Sequence, residues 1–596
     1  MTVHRGEPAR RVGITLLAIT IVLTLFAGRL VQIQGMESGY YKAAANAEKL
    51  TAKALPALRG TIYGSNGQIL AMTIETYTIT ADPPQMPAAD LPSYARELAA
   101  PLGLTEAKVL NLLQHPTSPD YVQLAKGVSA TNEATIEGYD IPGIAEAPVF
   151  VRAYPDGSAT ANVVGYTNVN PADVISGQSG IEAEYNKLLT GTTGSEEVET
   201  GANGETIPLA GTEETPAVNG ESIKLTINPT LQFQAQQTCE QEVKKTKAAN
   251  CSVVVIQPKT GAILAMAQWP TYDQNTFTSV SQTEDIPDSY LFAPGSTAKV
   301  ITAAAAFETG GQTPMSSYYI PAVLYRGGQA IHDAEDDAGS HYTIAGIIAN
   351  SSNIGMSQVV SHVTPQTQYD YLKAFGLGDP TGLGLPGEEP DAAYSSSALP
   401  PPSQWAGDTR YDLSYGQGLV VNAVQMASVY ATIANGGVRV QPTLIAGTYN
   451  AAGQYTAAKA QPSKRVIQAK TAKELIPILQ QVPGVDNEAD QRWGDIAGYA
   501  IAAKTGTSSE PSPNLKKPCP ADNALCVHGS SYIGFPGDDP KIVVAVNVQA
   551  PDTSTDYFGD EVAGPVFYGV MTAALADLQI QPQTGLEAPY VRLNAG

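Results

Sequence analysis

The sequence predicts a multidomain α+β protein, in which an apolar helix near the N-terminus precedes a mixed α/β domain and then a domain of helices packed on an antiparallel sheet. Three observations carry this. At 596 residues the chain has room for several units at roughly one domain per 150 residues. An uncharged apolar run, Val12 to Gly28, stands ahead of everything else. Near Ser222 the pattern changes from irregular to strongly periodic.

Arg5, Arg10 and Arg11 precede the apolar run, and Leu30, Val31 and Ile33 continue it past Arg29. Its 17 residues sit at the lower edge of the roughly 17 to 25 that span a bilayer, and Arg29 can snorkel and lengthen the span. Residues 12–34 are therefore expected to be a single transmembrane anchor. Basic residues ahead of it keep residues 1–11 cytoplasmic and export the rest. A cleaved signal peptide is the competing reading, and it lacks an Ala-x-Ala site.

Residues 35–220 form the first domain, ending in the Gly-, Thr- and Glu-rich stretch Thr192–Gly220 that reads as hairpin or linker. The second domain is placed at residues 221–580. It opens with an alternating strand, Ile223–Ile227, and a polar helix from about Pro229 to Thr246. A hairpin follows, Ser252–Ile256 and Ala262–Ala267, turned by Pro258-Lys259-Thr260-Gly261. Residues 581–596 are left as a C-terminal tail.

Acidic residues outnumber basic ones 57 to 34, for a net charge of -23, and no basic run tracks a phosphate backbone, so nucleic acid is excluded as a partner. The four cysteines fall into two close pairs, Cys239 with Cys251 and Cys519 with Cys526, which an oxidising compartment could close. Cys519, Cys526 and His528 give three ligands of poor spacing, so no metal is expected, and no motif requires an organic cofactor.

The chemistry lies in three short strings taken in order: Ser296-Thr297-Ala298-Lys299, Ser351-Ser352-Asn353 and Lys504-Thr505-Gly506-Thr507. The first puts a hydroxyl and an amine three residues apart, one helical turn on the same face, so the amine can take the hydroxyl proton. Ser296 follows Pro294-Gly295 and opens an Ala-rich helical run closed by Gly310-Gly311. At such a helix N-terminus, free N–H groups favour the negative charge on an attacked carbonyl oxygen. Ser351 and Asn353 fall between the helical runs Ile344–Ala349 and Ile354–Val363. Lys504 ends the apolar strand Tyr499–Ala503, with Ser530–Phe535 and Ile542–Val548 as further strands.

Each string alone is weak, for Lys259-Thr260-Gly261 repeats Lys-Thr-Gly and Ser512-Pro513-Asn514 repeats Ser-x-Asn. Context separates the copies, because Lys259 sits on a hairpin turn and Lys504 follows a strand. Motifs of this kind belong to class A β-lactamases and penicillin-binding proteins.

Further strings extend the match: Arg59-Gly60-Thr61-Ile62-Tyr63 with Asn66-Gly67, Arg152-x-Tyr154-Pro155-x-Gly157, Gly180-Ile181-Glu182, Tyr415-Gly416-Gln417-Gly418 and Ala434-Asn435-Gly436-Gly437. With these the chain resembles a class B (monofunctional) penicillin-binding protein, a peptidoglycan D,D-transpeptidase of the septal type. One departure is Gly64-Ser65, where the family often has Asp-Arg. The resemblance implies an anchor helix, an elongated non-catalytic pedestal of the dimerisation type held together by residues such as Arg59, Arg152 and Glu182, and a penicillin-binding, serine β-lactamase-like transpeptidase domain.

It implies the roles as well. Ser296 would attack the carbonyl before the terminal D-Ala of a stem peptide, with Lys299 as base in its neutral form, which burial and the Lys504 ammonium would favour. Ser351 would relay a proton, Asn353 hold the peptide amide, and Thr505 and Thr507 bind the terminal carboxylate in the field of Lys504, with Gly506 between them also in the substrate site. The backbone N–H groups of Ser296 and Thr507 would form the oxyanion hole. Implied partners are stem peptides on a lipid-linked precursor, β-lactam antibiotics, a SEDS-type glycosyltransferase and other division proteins at the bacterial cell membrane. Two alternatives stay open: a hydrolase on the same acyl-enzyme, either carboxypeptidase or β-lactamase, and a non-catalytic membrane receptor that senses β-lactams.

Overall fold

The computed structural model describes residues 8–40, 50–169, 174–199, 214–277, 279, 284–386, 388, 398–485, 493–511, 526–552, 557–583, 586 and 588–595. The Cys519–Cys526 pairing and the second Ser-x-Asn at Ser512 lie outside them. The chain forms two structural units, one of residues 1–58 with 191–219 and one of residues 59–190 with 220–596.

In the first unit the apolar run lies within the helix Pro8–Val31, prolonged by a π-helical turn, Gln32–Met36. The 29 residues have a mean hydropathy of 2.2 in their most apolar window, which is buried nowhere, and are long and apolar enough to cross a bilayer. The same unit holds a three-stranded antiparallel sheet of Leu50–Leu55, Gly194–Glu199 and Glu214–Thr215.

The second unit is built on two sheets. A seven-stranded sheet joins Ile62–Tyr63, Ile69–Ala81, Val122–Ser129 and Ile144–Ala153 to three strands from later in the chain, Ser222–Leu225, Ile445–Tyr449 and Tyr455–Ala457. Early and late halves of the chain thus share one hydrogen-bonded ladder.

The second sheet is antiparallel throughout, in the order Ile263–Trp269, Asn250–Ile256, Val543–Gln549, Cys526–Pro536, Tyr499–Pro511 and Asp495–Ile496. Its central strands read as unbroken apolar runs because helices cover both faces. Val253, Val255, Val544 and Val546 pack with Leu231, Ala235, Val566 and Phe567 of the helices Pro229–Thr246 and Gly559–Asp577. Val254, Ile256, Val543 and Ala545 point the other way, into a core with Val300 and Ala304 of Lys299–Thr309 and Val424 and Ala427 of Ala423–Ala434. Cys239, on the first of these helices, is joined to Cys251 on the sheet by a disulfide.

One strand differs from the sequence reading. Lys504 does not end its strand, which runs on to Pro511, paired from Ile501↔Pro536 to Pro511↔Cys526. The apolar signal stops at Ala503, yet the hydrogen-bond ladder needs no apolar side chains, and β-branched Thr505 and Thr507 suit a pleated strand.

Three of the early motifs converge on one ion cluster. Glu182, fully buried, accepts from Arg59 Nε at 2.6 Å on Oε2 and from Arg152 Nε at 2.7 Å on Oε1. Arg59 also donates to Glu182 O at 2.7 Å, Asn186 Oδ1 at 2.8 Å and Thr190 Oγ1 at 2.9 Å. Residues scattered over more than 120 positions are thereby pinned together.

A second buried polar group is acidic. Asp285 Oδ1 accepts from Asn162 Nδ2 at 3.1 Å, while Oδ2 is enclosed without a hydrogen-bond partner. Asp288 and Glu388 both contact Thr381 Oγ1, at 2.9 and 2.5 Å. A hydroxyl has one proton to give, so one of those carboxyls must itself donate. Burial pushes Asp285 up to about 7, and burial with the neighbouring Asp285 raises Asp288 well above the carboxylate range. A carboxyl raised on folding stabilises the fold in its protonated form; that contribution is full below pH ~4 and lost as pH rises through about 7. Asp285→Asn should therefore flatten the fall in thermal midpoint between about pH 4 and 7; a variant with the parent's slope over that range would show that Asp285 does not titrate there.

Residues 591–595 run beside His341–Thr343, with Thr343 N–H donating to Leu593 O at 2.9 Å and Ala595 N–H to His341 O at 2.8 Å. Gly346 permits this approach, since a Cβ there would stand 2.1 Å from Leu593 O. The end of the chain thus lies against the short helix Ile344–Ala349 that leads into Ser351.

Candidate active site

Ser296 lies in a 3-10 turn, Gly295–Ala298, that runs directly into the helix Lys299–Thr309. The turn is held from several sides. Gly295 has φ +54°, and its N–H donates to Gly416 O at 3.0 Å. A Cβ on Gly295 would stand 2.7 Å from Thr507 O, and one on Gly416 would stand 1.9 Å from Gly295 O. Three backbones therefore meet beside the serine, and side chains there would force them apart. Buried Tyr430 adds a hydrogen bond from its hydroxyl to Thr297 O at 2.9 Å, and Thr302 Oγ1 donates to Ser414 O at 3.0 Å.

Lys299 is fully buried, with Nζ 2.9 Å from Ser296 Oγ. The same amine donates to Ser351 O and lies 3.3 Å from Ser351 Oγ. Hydroxyl, amine and second hydroxyl thus form one connected group. Ser351 sits in a turn between the helices Ile344–Ala349 and Asn353–Val359, with φ +59°. A left-handed conformation at a residue other than glycine costs of order 1–3 kcal/mol and persists only where surrounding contacts impose it.

Asn353 is the first residue of its helix rather than a loop residue, and its Nδ2 donates to His332 O at 3.2 Å. Lys504 is fully buried on the strand Tyr499–Pro511, with Nζ 3.2 Å from Thr505 O and 3.3 Å from Thr505 Oγ1. A Cβ on Gly506 would stand 2.9 Å from Pro294 O, so this strand runs directly against the turn that carries Ser296. Thr507 Oγ1 accepts from Gly559 N–H at 3.1 Å.

The rejected copy, Lys259, is exposed on its hairpin turn between Asn250–Ile256 and Ile263–Trp269. His528 lies on the strand Cys526–Pro536, stacked on Tyr557 with ring centroids 4.0 Å apart, and burial lowers its pKa. The strings containing Gly295 and Gly416 were visible in the sequence, but their meeting beside the serine and the brace from Tyr430 were not. No local spacing marks these contacts, since they form only through the fold.

Comparison with known proteins points the same way. The model of the penicillin-binding protein transpeptidase domain matches residues 251–572, and that of the penicillin-binding protein dimerisation domain matches residues 54–225. The penicillin-binding protein PbpB of Mycolicibacterium smegmatis is 31% identical over 603 residues, covering 96% of this chain and 91% of its own. A protein of Pseudomonas aeruginosa named "Probable peptidoglycan D,D-transpeptidase PbpC" is 30% identical, covering 96% of this chain and 97% of its own. The crystal structure of penicillin-binding protein 3 from Mycobacterium tuberculosis complexed with ampicillin superposes with a TM-score of 0.68 at 27% identity, over 91% of this chain and 100% of that one.

Proposed function

The chain belongs to the penicillin-binding proteins that carry a dimerisation domain ahead of a transpeptidase domain, and on that premise we propose that it crosslinks peptidoglycan as a D,D-transpeptidase through an acyl-enzyme on Ser296. The observation that carries this reading is the fully buried Lys299 amine, 2.9 Å from Ser296 Oγ and within reach of Ser351.

In this mechanism Lys299 Nζ takes the Ser296 proton as Oγ attacks the carbonyl preceding the terminal D-Ala. The N–H groups of Ser296 and Thr507 receive the negative oxygen, each donor contributing about 100- to 1000-fold in rate. As the intermediate collapses, the proton passes from Lys299 through the Ser351 hydroxyl to the departing D-Ala nitrogen. An amine from a neighbouring strand then attacks the ester, and the proton it sheds returns to Ser296 Oγ. Thr505, Gly506 and Thr507 bind the terminal carboxylate beside the Lys504 charge, and Asn353 holds the stem-peptide amide. A β-lactam enters by the same attack and remains as an ester.

The expected test supplies a D-Ala-terminated donor and a D-amino acid acceptor to the full-length protein. Aminolysis product should form in step with D-Ala release; release with hydrolysis alone would make the protein a carboxypeptidase.

We place residues 1–11 in the cytoplasm, 12–34 in the membrane, 35–220 in a pedestal and 221–580 in an extracytoplasmic catalytic domain, followed by a tail. The Cys239–Cys251 disulfide supports an oxidising compartment. Family resemblance extends the reading to septal synthesis beside a SEDS-type glycosyltransferase and other division proteins. Depletion should give filaments, and rounded cells would instead indicate elongation.

A further inference from the structure

We propose that Asp333 is a positioning residue, which holds the turn Ser351-Ser352-Asn353 so that Ser351 faces Lys299; the inference rests on the acyl-transfer reading of that site. Asp333 follows the hairpin strand Gln329–Ile331, whose last residue is buried in the core. Its carboxylate takes two donors from one turn: Ser352 Oγ–H at 2.6 Å on Oδ2 and Ile354 N–H at 2.9 Å on Oδ1. The adjacent His332 carbonyl accepts from Asn353 Nδ2 at 3.2 Å, so residues 332 and 333 grip three successive residues after Ser351.

Capping the helix Asn353–Val359 does not by itself require this carboxylate. Ser352 Oγ already caps it by accepting from Gly355 N–H at 2.8 Å. What Asp333 adds is direction, because it fixes where the single Ser352 hydroxyl proton points and ties the turn to a separate hairpin. Ser351 stands at φ +59° immediately before these contacts and presents both its carbonyl and its hydroxyl to Lys299. A turn held in that conformation from outside relaxes when the outside hold is removed. Only a group with two acceptor oxygens meets both donors. Asn at this position turns an amide N–H₂ toward one of them.

The test uses full-length protein and a fluorescent penicillin, separating the noncovalent binding constant from the acylation rate constant. Asp333→Ala and Asp333→Asn should lower the acylation rate constant by about 10- to 100-fold, as a misplacement of a reacting group by up to about 1 Å does, while binding stays within about threefold. Thermal midpoints should stay near the parent's, and the adduct should remain on Ser296. On a Ser351→Ala background Asp333→Asn should add little, because its effect passes through Ser351. Parent-like acylation in both variants overturns the inference, as does a loss that follows the thermal midpoint or one that multiplies in full on the Ser351→Ala background. If Asp333→Ala fails to fold, Asp333→Asn decides alone by the same criteria. A parent protein that never acylates at Ser296 overturns the underlying reading instead.

Discussion

Lys299→Arg is expected to cut the rate of Ser296 acylation by about 10²–10⁴-fold even though the positive charge is kept. The comparison isolates one property. A guanidinium donates hydrogen bonds and carries charge but does not lose its proton in a protein, so it cannot accept the proton of Ser296 Oγ. Lys299→Ala removes amine and charge together and should lose at least as much. The amine is fully buried and touches both Ser296 and Ser351, so each variant needs a thermal midpoint measured beside its rate. Folded Lys299→Arg protein that acylates like the parent would show that charge alone suffices and would remove Lys299 from the role of base.

The second large effect lies far from the reaction. Glu182→Ala should destabilise the second unit by about 3–5 kcal/mol, because it leaves two guanidiniums buried without their common counter-ion. Arg59 and Arg152 have side chains only 2% exposed, and Arg152 Nη2 already lacks a partner. Glu182→Gln keeps the shape and the backbone contact to Arg59 but withdraws the charge, so it should fall between the two. Denaturant midpoints of the three proteins check the order; a Glu182→Ala midpoint equal to the parent's would mean that the cluster contributes nothing net.

Much of this was legible from local pattern. A spacing of three residues on a helix brings Lys299 to Ser296 whatever the rest of the fold does, and apolar runs marked the strands buried on both faces. The far half of the Lys504 strand was not legible, because beyond Ala503 its residues are polar and only the ladder with Cys526–Pro536 shows that it continues. Asp333 was hidden among Glu335, Asp336 and Asp337, where an acidic run reads as a solvated loop. Gly295 and Gly416 meet across more than a hundred residues, and no periodicity encodes such a meeting. The cluster of Arg59, Arg152 and Glu182 shows the opposite case: each string could be quoted from the sequence, but only the fold shows that one carboxylate serves both guanidiniums.

Ser296 Oγ is the proposed point of acylation. Peptide mass mapping of the full-length protein after exposure to a β-lactam reads that directly. The predicted result is one adduct on the peptide containing Ser296, absent from Ser296→Ala; an adduct on another serine, or one that persists in that variant, would contradict it.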